Sequence, residues 1–180
     1  SGKSAILVQL LPYTFIGNLY INREMNQPII CFEGPSGIGK TTMGQLLSTE
    51  YNIVPEVNLL FKRPKNEPAY WYLEKQIERY TICQNSNKPS ILDGDIFQPI
   101  WYNWVCNYPT AFLPKTATHT FYKQQLSAGK IQFPDLYIIF YVAEKELWIR
   151  KEKDLTRRRR NFAKHLKIIE PMLGYWRFLD

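Results

Sequence analysis

Ile29-Ile30-Cys31-Phe32-Glu33-Gly34-Pro35-Ser36-Gly37-Ile38-Gly39-Lys40-Thr41-Thr42 is the stretch that decides how the chain is read. The apolar run Ile29 to Phe32 is long enough for a buried parallel strand and too short for a helix. Gly34 to Thr41 then satisfies G-x-x-x-x-G-K-[ST] in full. From average residue frequencies, its fixed positions arise by chance in under roughly 1% of chains of this length. Each fixed residue has a physical task. The glycines let consecutive N–H groups curl inward toward phosphate oxygens, and the following helix adds its positive N-terminal end. Lys40 brings a mobile charge to the β- and γ-phosphates, and Thr41 brings a hydroxyl to Mg²⁺. Gly34, Ser36, Gly37, Ile38, Gly39, Lys40, Thr41 and Thr42 are thus the expected nucleotide-binding residues, with ATP or GTP and Mg²⁺ as cofactors.

Working outward, Thr41 to Tyr51 carries Met43, Leu46 and Leu47 at helical spacing, the pattern of a helix laying one face on a sheet. Ile53-Val54-Pro55-Glu56 reads as a second strand. Ala69 to Cys83 reads as an amphipathic helix with Ala69, Leu73, Ile77 and Tyr80 inward and Glu74, Lys75, Glu78 and Arg79 turned away. Ser90-Ile91-Leu92-Asp93 is a third strand with an acidic end, and Leu136 to Val142 is a fourth. Between these two lies a stretch rich in Trp, Tyr and Pro, then a short helix around Thr120 to Ala128 closed by Gly129. Helix resumes near Ala143, and Phe162, Leu166 and Ile169 share a last helical face that ends before Pro171. Strands alternating with helices imply an α/β fold, a three-layer α/β/α arrangement on a parallel sheet with right-handed crossovers.

The 180 residues suit one domain, and 45% hydrophobic with 15% aromatic residues is ample material for its core. The formal charge of +7 would suit an anionic partner. Much of the excess is local, because Arg157 to Arg160 are consecutive and follow Arg150, Lys151 and Lys153. A compact cluster differs from the extended stripe of a nucleic-acid groove. Cys31, Cys83 and Cys106 are odd in number and lack metal-ligand spacing, which suits reduced thiols in a cytoplasmic protein. Ala5 to Leu11 is apolar but far shorter than the ~20 residues of a spanning helix, so no membrane partner is expected. Residues 1–24 read as an extension of non-native character, with Met25 a natural start and residues 25–180 the domain. His119 and His165 are assigned no chemistry.

Phe32-Glu33-Gly34 through Lys40-Thr41-Thr42, followed after one helix by Val54-Pro55-Glu56, resembles the deoxynucleoside kinases and thymidylate-kinase-like P-loop kinases. Pro134-Asp135-Leu136 before an apolar strand, then Glu144 and Arg150 on a helix, then the arginine run, is similar to that family's fourth strand and lid. The likeness spans roughly Pro28 to Trp176 and is loose at its centre. It implies that Glu56 is a general base toward the acceptor hydroxyl, and that Asp93 lies near the Mg²⁺ together with Thr41. It also implies a lid over about 150–162, from which Arg150, Arg157 and Arg158 reach the transferring phosphoryl group. Neighbouring helical residues point about 100° apart, so four adjacent arginines cannot all face one phosphate.

Asp93-Gly94-Asp95 departs from the family pattern, in which an arginine follows the acidic residue; Asp95 is instead a candidate to hold a substrate hydroxyl or amine. Trp71, Tyr72, Phe97 and Trp101 fall in regions that resemble the family's acceptor pocket and could stack on a flat ring, although aromatic residues are equally ordinary core. A fifth strand has no counterpart after the lid. Either the chain is shortened there, or a segment such as Ala5 to Leu11 fills the sheet edge. The reading favours an ATP- and Mg²⁺-dependent kinase on a small, nucleoside- or nucleotide-like acceptor, and allows a homodimer. Its rivals are a nucleic-acid-associated ATPase and a nucleotide-binding module without turnover.

Overall fold

In chain order the protein forms β1 (Ser4–Gln9), β2 (Ile29–Glu33), α1 (Lys40–Leu46), β3 (Asn52–Val54), α2 (Val57–Leu60), α3 (Trp71–Gln84) and β4 (Ser90–Asp93). There follow α4 (Gln98–Cys106), α5 (Lys115–Ser127), β5 (Leu136–Tyr141), α6 (Glu144–Lys153), α7 (Phe162–Leu166) and α8 (Ile169–Leu179). This computed structural model describes residues 4–9, 27–106, 113–153 and 162–179. The strands make a single sheet in the order β1-β5-β2-β4-β3, with every pairing parallel.

All residues of β2 and β4 are buried, which an open sheet achieves only with both faces covered by other elements. Helix α1 packs on β4, α3 lies on β3 and β4, and α4 meets α5 and α8. Ring contacts join neighbouring strands and fix the sheet to its cover, with Phe32 of β2 and Phe140 of β5 edge-on at 5.0 Å and Tyr137 of β5 at 4.7 Å from Trp176 of α8. Asp135 sets the β2/β5 register, since its carboxylate accepts the Ile29 N–H at 3.0 Å and its own N–H donates to the Ile29 carbonyl at 2.8 Å.

Of the two alternatives for the fifth strand, the structure has the second. Ser4 to Gln9 pairs residue for residue with Leu136 to Tyr141, so a stretch that reads as lying outside the domain contributes the sheet edge. Three further expectations need correction. Leu46 is 66% exposed, because the inward face of α1 is Lys40, Met43, Gly44 and Leu47, a spacing set by how the preceding loop delivers the helix. Arg79 is buried, not outward. Pro171 does not end a helix but stands in the first turn of α8, where a missing N–H costs nothing. The stretch 98–106, left without an element in the sequence reading, is helix α4, with Pro99 likewise in its first turn.

Candidate functional site

The C-terminal ends of β2, β3, β4 and β5 converge on the loop that follows β2. Gly34, Gly37 and Gly39 have φ of 146°, 89° and 110°, values that L side chains rarely adopt. At Gly34 the need is also steric, because a Cβ would lie 2.5 Å from the Phe140 carbonyl oxygen of β5. This close approach seats the loop on the sheet. Ile38 is buried beneath it as an anchor, while Ser36, Gly37 and Gly39 are half-buried and Thr42 is exposed.

Lys40 opens α1 and is folded back over the loop, its ammonium donating to the Gly34 carbonyl at 2.8 Å. The Thr41 hydroxyl donates to Asp93 Oδ2 at 2.6 Å. The other carboxylate oxygen, Asp93 Oδ1, is buried and has no protein partner. A buried carboxylate oxygen left open beside a threonine hydroxyl is an oxygen-only donor set, the kind that suits a hard divalent cation which keeps waters and phosphate oxygens as its other ligands.

Arg150 of α6 reaches the same loop. Its Nη1 donates to the Ile38 carbonyl at 2.8 Å and its Nε to Glu146 Oε1 at 3.1 Å, so the helix after β5 is tied to the glycine-rich turn. Arg157 and Arg158 lie outside the described residues.

Glu56 follows β3 and is the N-cap residue of α2, half-buried, with its Cγ 3.7 Å from where a Cβ at Gly94 would stand. It is therefore a neighbour of the turn that carries Asp93. Tyr72 also belongs to this side: its phenol donates to Gln98 Oε1 at 3.1 Å. Burial pushes that phenol up to about 12, opposed by the Arg79 guanidinium and assisted by the Glu56 carboxylate, so Tyr72 stays neutral.

Of the other residues expected to meet an acceptor, Trp71, Phe97 and Trp101 are buried; Phe97 stacks with Phe133 at 4.5 Å, and Trp101 with Tyr102 at 4.3 Å. Asp95 is only 1% exposed and accepts from the Tyr137 hydroxyl at 3.2 Å. Burial, then the nearby Glu33 carboxylate, pushes Asp95 up to about 7.

Two residues to which the sequence reading gave no role stand at the centre of this geometry. Glu33 is buried and accepts the N–H of Gly34 at 2.8 Å and of Asp95 at 3.0 Å. Arg79 donates to the carbonyls of Asp93 and Gly94 at 2.8 and 2.9 Å. An acidic residue closing an otherwise apolar strand was the available signal for Glu33. Arg79 had none, since an arginine on a helix is ordinarily solvated.

No family model matches the sequence, and no curated protein matches it. Solved structures do. The chain is similar to deoxyadenosine kinase from M. mycoides with bound dATP, at TM-score 0.53 and 18% identity over 83% of this chain and 84% of that one. It also matches thymidylate kinase from Ehrlichia chaffeensis, at TM-score 0.44 and 21% identity over 72% of this chain and 84% of that one. Identities of this order speak to architecture alone, and on that ground the chain has the deoxynucleoside-kinase-like P-loop fold.

Proposed function

We propose that the protein is an ATP- and Mg²⁺-dependent phosphotransferase acting on a small nucleoside- or nucleotide-like acceptor. The observation that carries this reading is the Thr41–Asp93 hydrogen bond at 2.6 Å, with the second Asp93 oxygen buried and open, directly beneath a loop of positive-φ glycines. A glycine-rich turn that served packing alone would need neither the hydroxyl nor the unmatched carboxylate. The deoxyadenosine kinase it resembles in fold was solved with a nucleoside triphosphate, which supports the same class of ligand.

In this reading Thr41 and Asp93 hold the cation, which when bound neutralises charge on the triphosphate. Loop amides from Ser36 onward bind the phosphate oxygens, since Pro35 has no N–H and that of Gly34 is held by Glu33, and Lys40 leaves the Gly34 carbonyl to reach them, exchanging one acceptor for a charged one. Glu56 accepts the proton of the acceptor hydroxyl as that oxygen attacks the γ-phosphorus; the P–O bond to the β-phosphate breaks and ADP leaves. Arg150, with Arg157 and Arg158, supplies positive charge to the transferring group and helps exclude water as a lid. Tyr72 and Gln98 present a hydroxyl and an amide on the acceptor side.

The test is calorimetry with ATP and GTP in the presence of Mg²⁺, followed by ADP release over a panel of nucleosides, nucleotides and sugars. Binding that Lys40→Ala abolishes, together with acceptor-dependent release, is expected. Release stimulated by DNA or RNA and not by any small acceptor would replace this reading with a nucleic-acid-associated ATPase. Absence of any heat of association would remove it altogether.

A further inference from the structure

The turn Asp93-Gly94-Asp95 is what carries the Asp93 carboxylate to Thr41, and its backbone is held from two sides by buried charges. On one side, Asp95 N–H donates to Glu33 Oε2 at 3.0 Å while Glu33 Oε1 accepts the Gly34 N–H at 2.8 Å. One carboxylate thus joins the first amide of the phosphate loop to the turn. On the other side, Arg79 Nη2 donates to Asp93 O at 2.8 Å, Gly94 O at 2.9 Å and, more distantly, Val54 O at 3.4 Å. The guanidinium therefore joins the ends of β4 and β3, two residues before Glu56, and Gln76 Oε1 holds its Nη1 at 2.6 Å.

Both side chains are 1% exposed, and neither forms an ion pair among the described residues. Burying a charge without a direct ion pair is costly, and the cost is offset here largely by hydrogen bonds to main-chain groups of the site, with the Gln76 amide oxygen on Arg79 and the field of Lys40 on Glu33 adding to them. Main-chain bonds already hold the turn in part: Gly94 N–H to Phe32 O of β2 at 2.9 Å and Gln98 N–H to Asp95 O at 3.2 Å. The added charges fix where the turn stands relative to the phosphate loop.

We propose that Glu33 and Arg79 are positioning residues that clamp the Asp93-Gly94-Asp95 turn and so set the Asp93 carboxylate against Thr41 for the metal–nucleotide complex. The inference rests on the Mg²⁺–nucleotide reading above. In this reading neither residue touches nucleotide, and glutamine at position 33 keeps an amide oxygen to accept the Gly34 N–H, so each change acts on the metal's share of the affinity and leaves the phosphate loop held as before. Arg79 is not a simple charge contributor in this scheme. Deleting a nearby cation would strengthen Mg²⁺ binding, whereas loosening the turn weakens it.

The experiment measures ATP dissociation constants with and without Mg²⁺ for the wild type, Glu33→Gln, Arg79→Met and the double variant. Each single change is expected to reduce the Mg²⁺-dependent gain in affinity about tenfold while Mg²⁺-free ATP binding stays within about twofold. Because both act on one turn, the double variant should lose less than the product of the single losses. Gly94→Ala probes the same turn without burying or removing a charge. Gly94 has φ of 84°, so an added side chain strains the turn and should copy the loss even if the charge variants fold poorly. A wild-type gain from Mg²⁺ that persists undiminished, or grows, in the variants overturns the clamp alone. A wild type that gains nothing from Mg²⁺ overturns the clamp and the nucleotide reading together.

Discussion

At the scale of single residues, Glu56 and Asp95 are two carboxylates at one site with opposite prospects. Glu56 is half-buried beside the Asp93 turn, where a carboxylate can meet an incoming hydroxyl. Glu56→Gln should slow acceptor phosphorylation by ~10²-fold or more with ATP affinity unchanged, the signature of a lost general base in single-turnover assays. Equal rates would remove Glu56 from the mechanism. Asp95 faces the Tyr137 hydroxyl, the Glu33 carboxylate and the Arg79 guanidinium with no solvent access, and its carboxyl is pushed from 3.8 up to about 7. A carboxyl whose value is raised by folding favours the folded state while protonated. That contribution is complete below pH 3.8 and is lost as pH rises through about 7. Asp95→Asn, which keeps an acceptor for Tyr137, should therefore be relatively more stable against the wild type at pH 8 than at pH 5, by on the order of 1–3 kcal/mol in urea melts. A stability difference independent of pH would show that Asp95 does not titrate in this range.

At the scale of elements, α6 is the test case, because the resemblance aims Arg150 at a transferring phosphoryl group, while in this structure it holds the loop itself. Arg150 holds the Ile38 carbonyl on the loop and Glu146 on its own helix, the latter a partly exposed pair. Partly exposed pairs of this kind contribute little, whereas the carbonyl contact ties a helix to the glycine-rich loop. Arg150→Ala should weaken ATP binding about tenfold and Glu146→Ala no more than about twofold, read by calorimetry. Equal effects would mean that the ion pair, and not the contact to the loop, matters. Elements with a strong local signal were legible in the sequence: β2, the loop after it, β4 and β5 follow from apolar runs and glycine chemistry, within a residue or so. The helix α4 was hidden because its Trp and Tyr residues suit several states and its proline reads as a breaker unless its place in the first turn is known. The inward faces of α1 and α3 were misjudged for a different reason. Periodicity counts apolar residues, and these helices bury Lys40 on the Gly34 carbonyl and a Gln76–Arg79 pair whose guanidinium reaches the carbonyls of Asp93 and Gly94.

At the scale of the whole molecule the sheet edge matters most. The order β1-β5-β2-β4-β3 puts the earliest strand beside the latest, so the two halves of the chain are closed by a pairing across some 130 residues, which no local pattern announces. Its absence would leave β5 as an edge, exposing a row of unpaired main-chain groups along the strand that carries Phe140 against Gly34. A variant lacking residues 1–9 should therefore melt lower. At ~1 kcal/mol per ladder hydrogen bond lost, a few such bonds correspond to a fall on the order of 5–10 °C for a domain of this size. The variant should also associate at concentrations where the full chain does not, through the newly exposed edge. The phosphate loop follows β2, which keeps both its neighbours β4 and β5, so ATP affinity below the melting range should change by no more than about threefold. A melting temperature equal to that of the full chain would show that Ser4 to Gln9 contributes nothing to the sheet. A lower melting temperature combined with lost ATP binding would show instead that the edge strand acts through β5 on the loop, a coupling for which the close approach of the Phe140 carbonyl to Gly34 supplies the route.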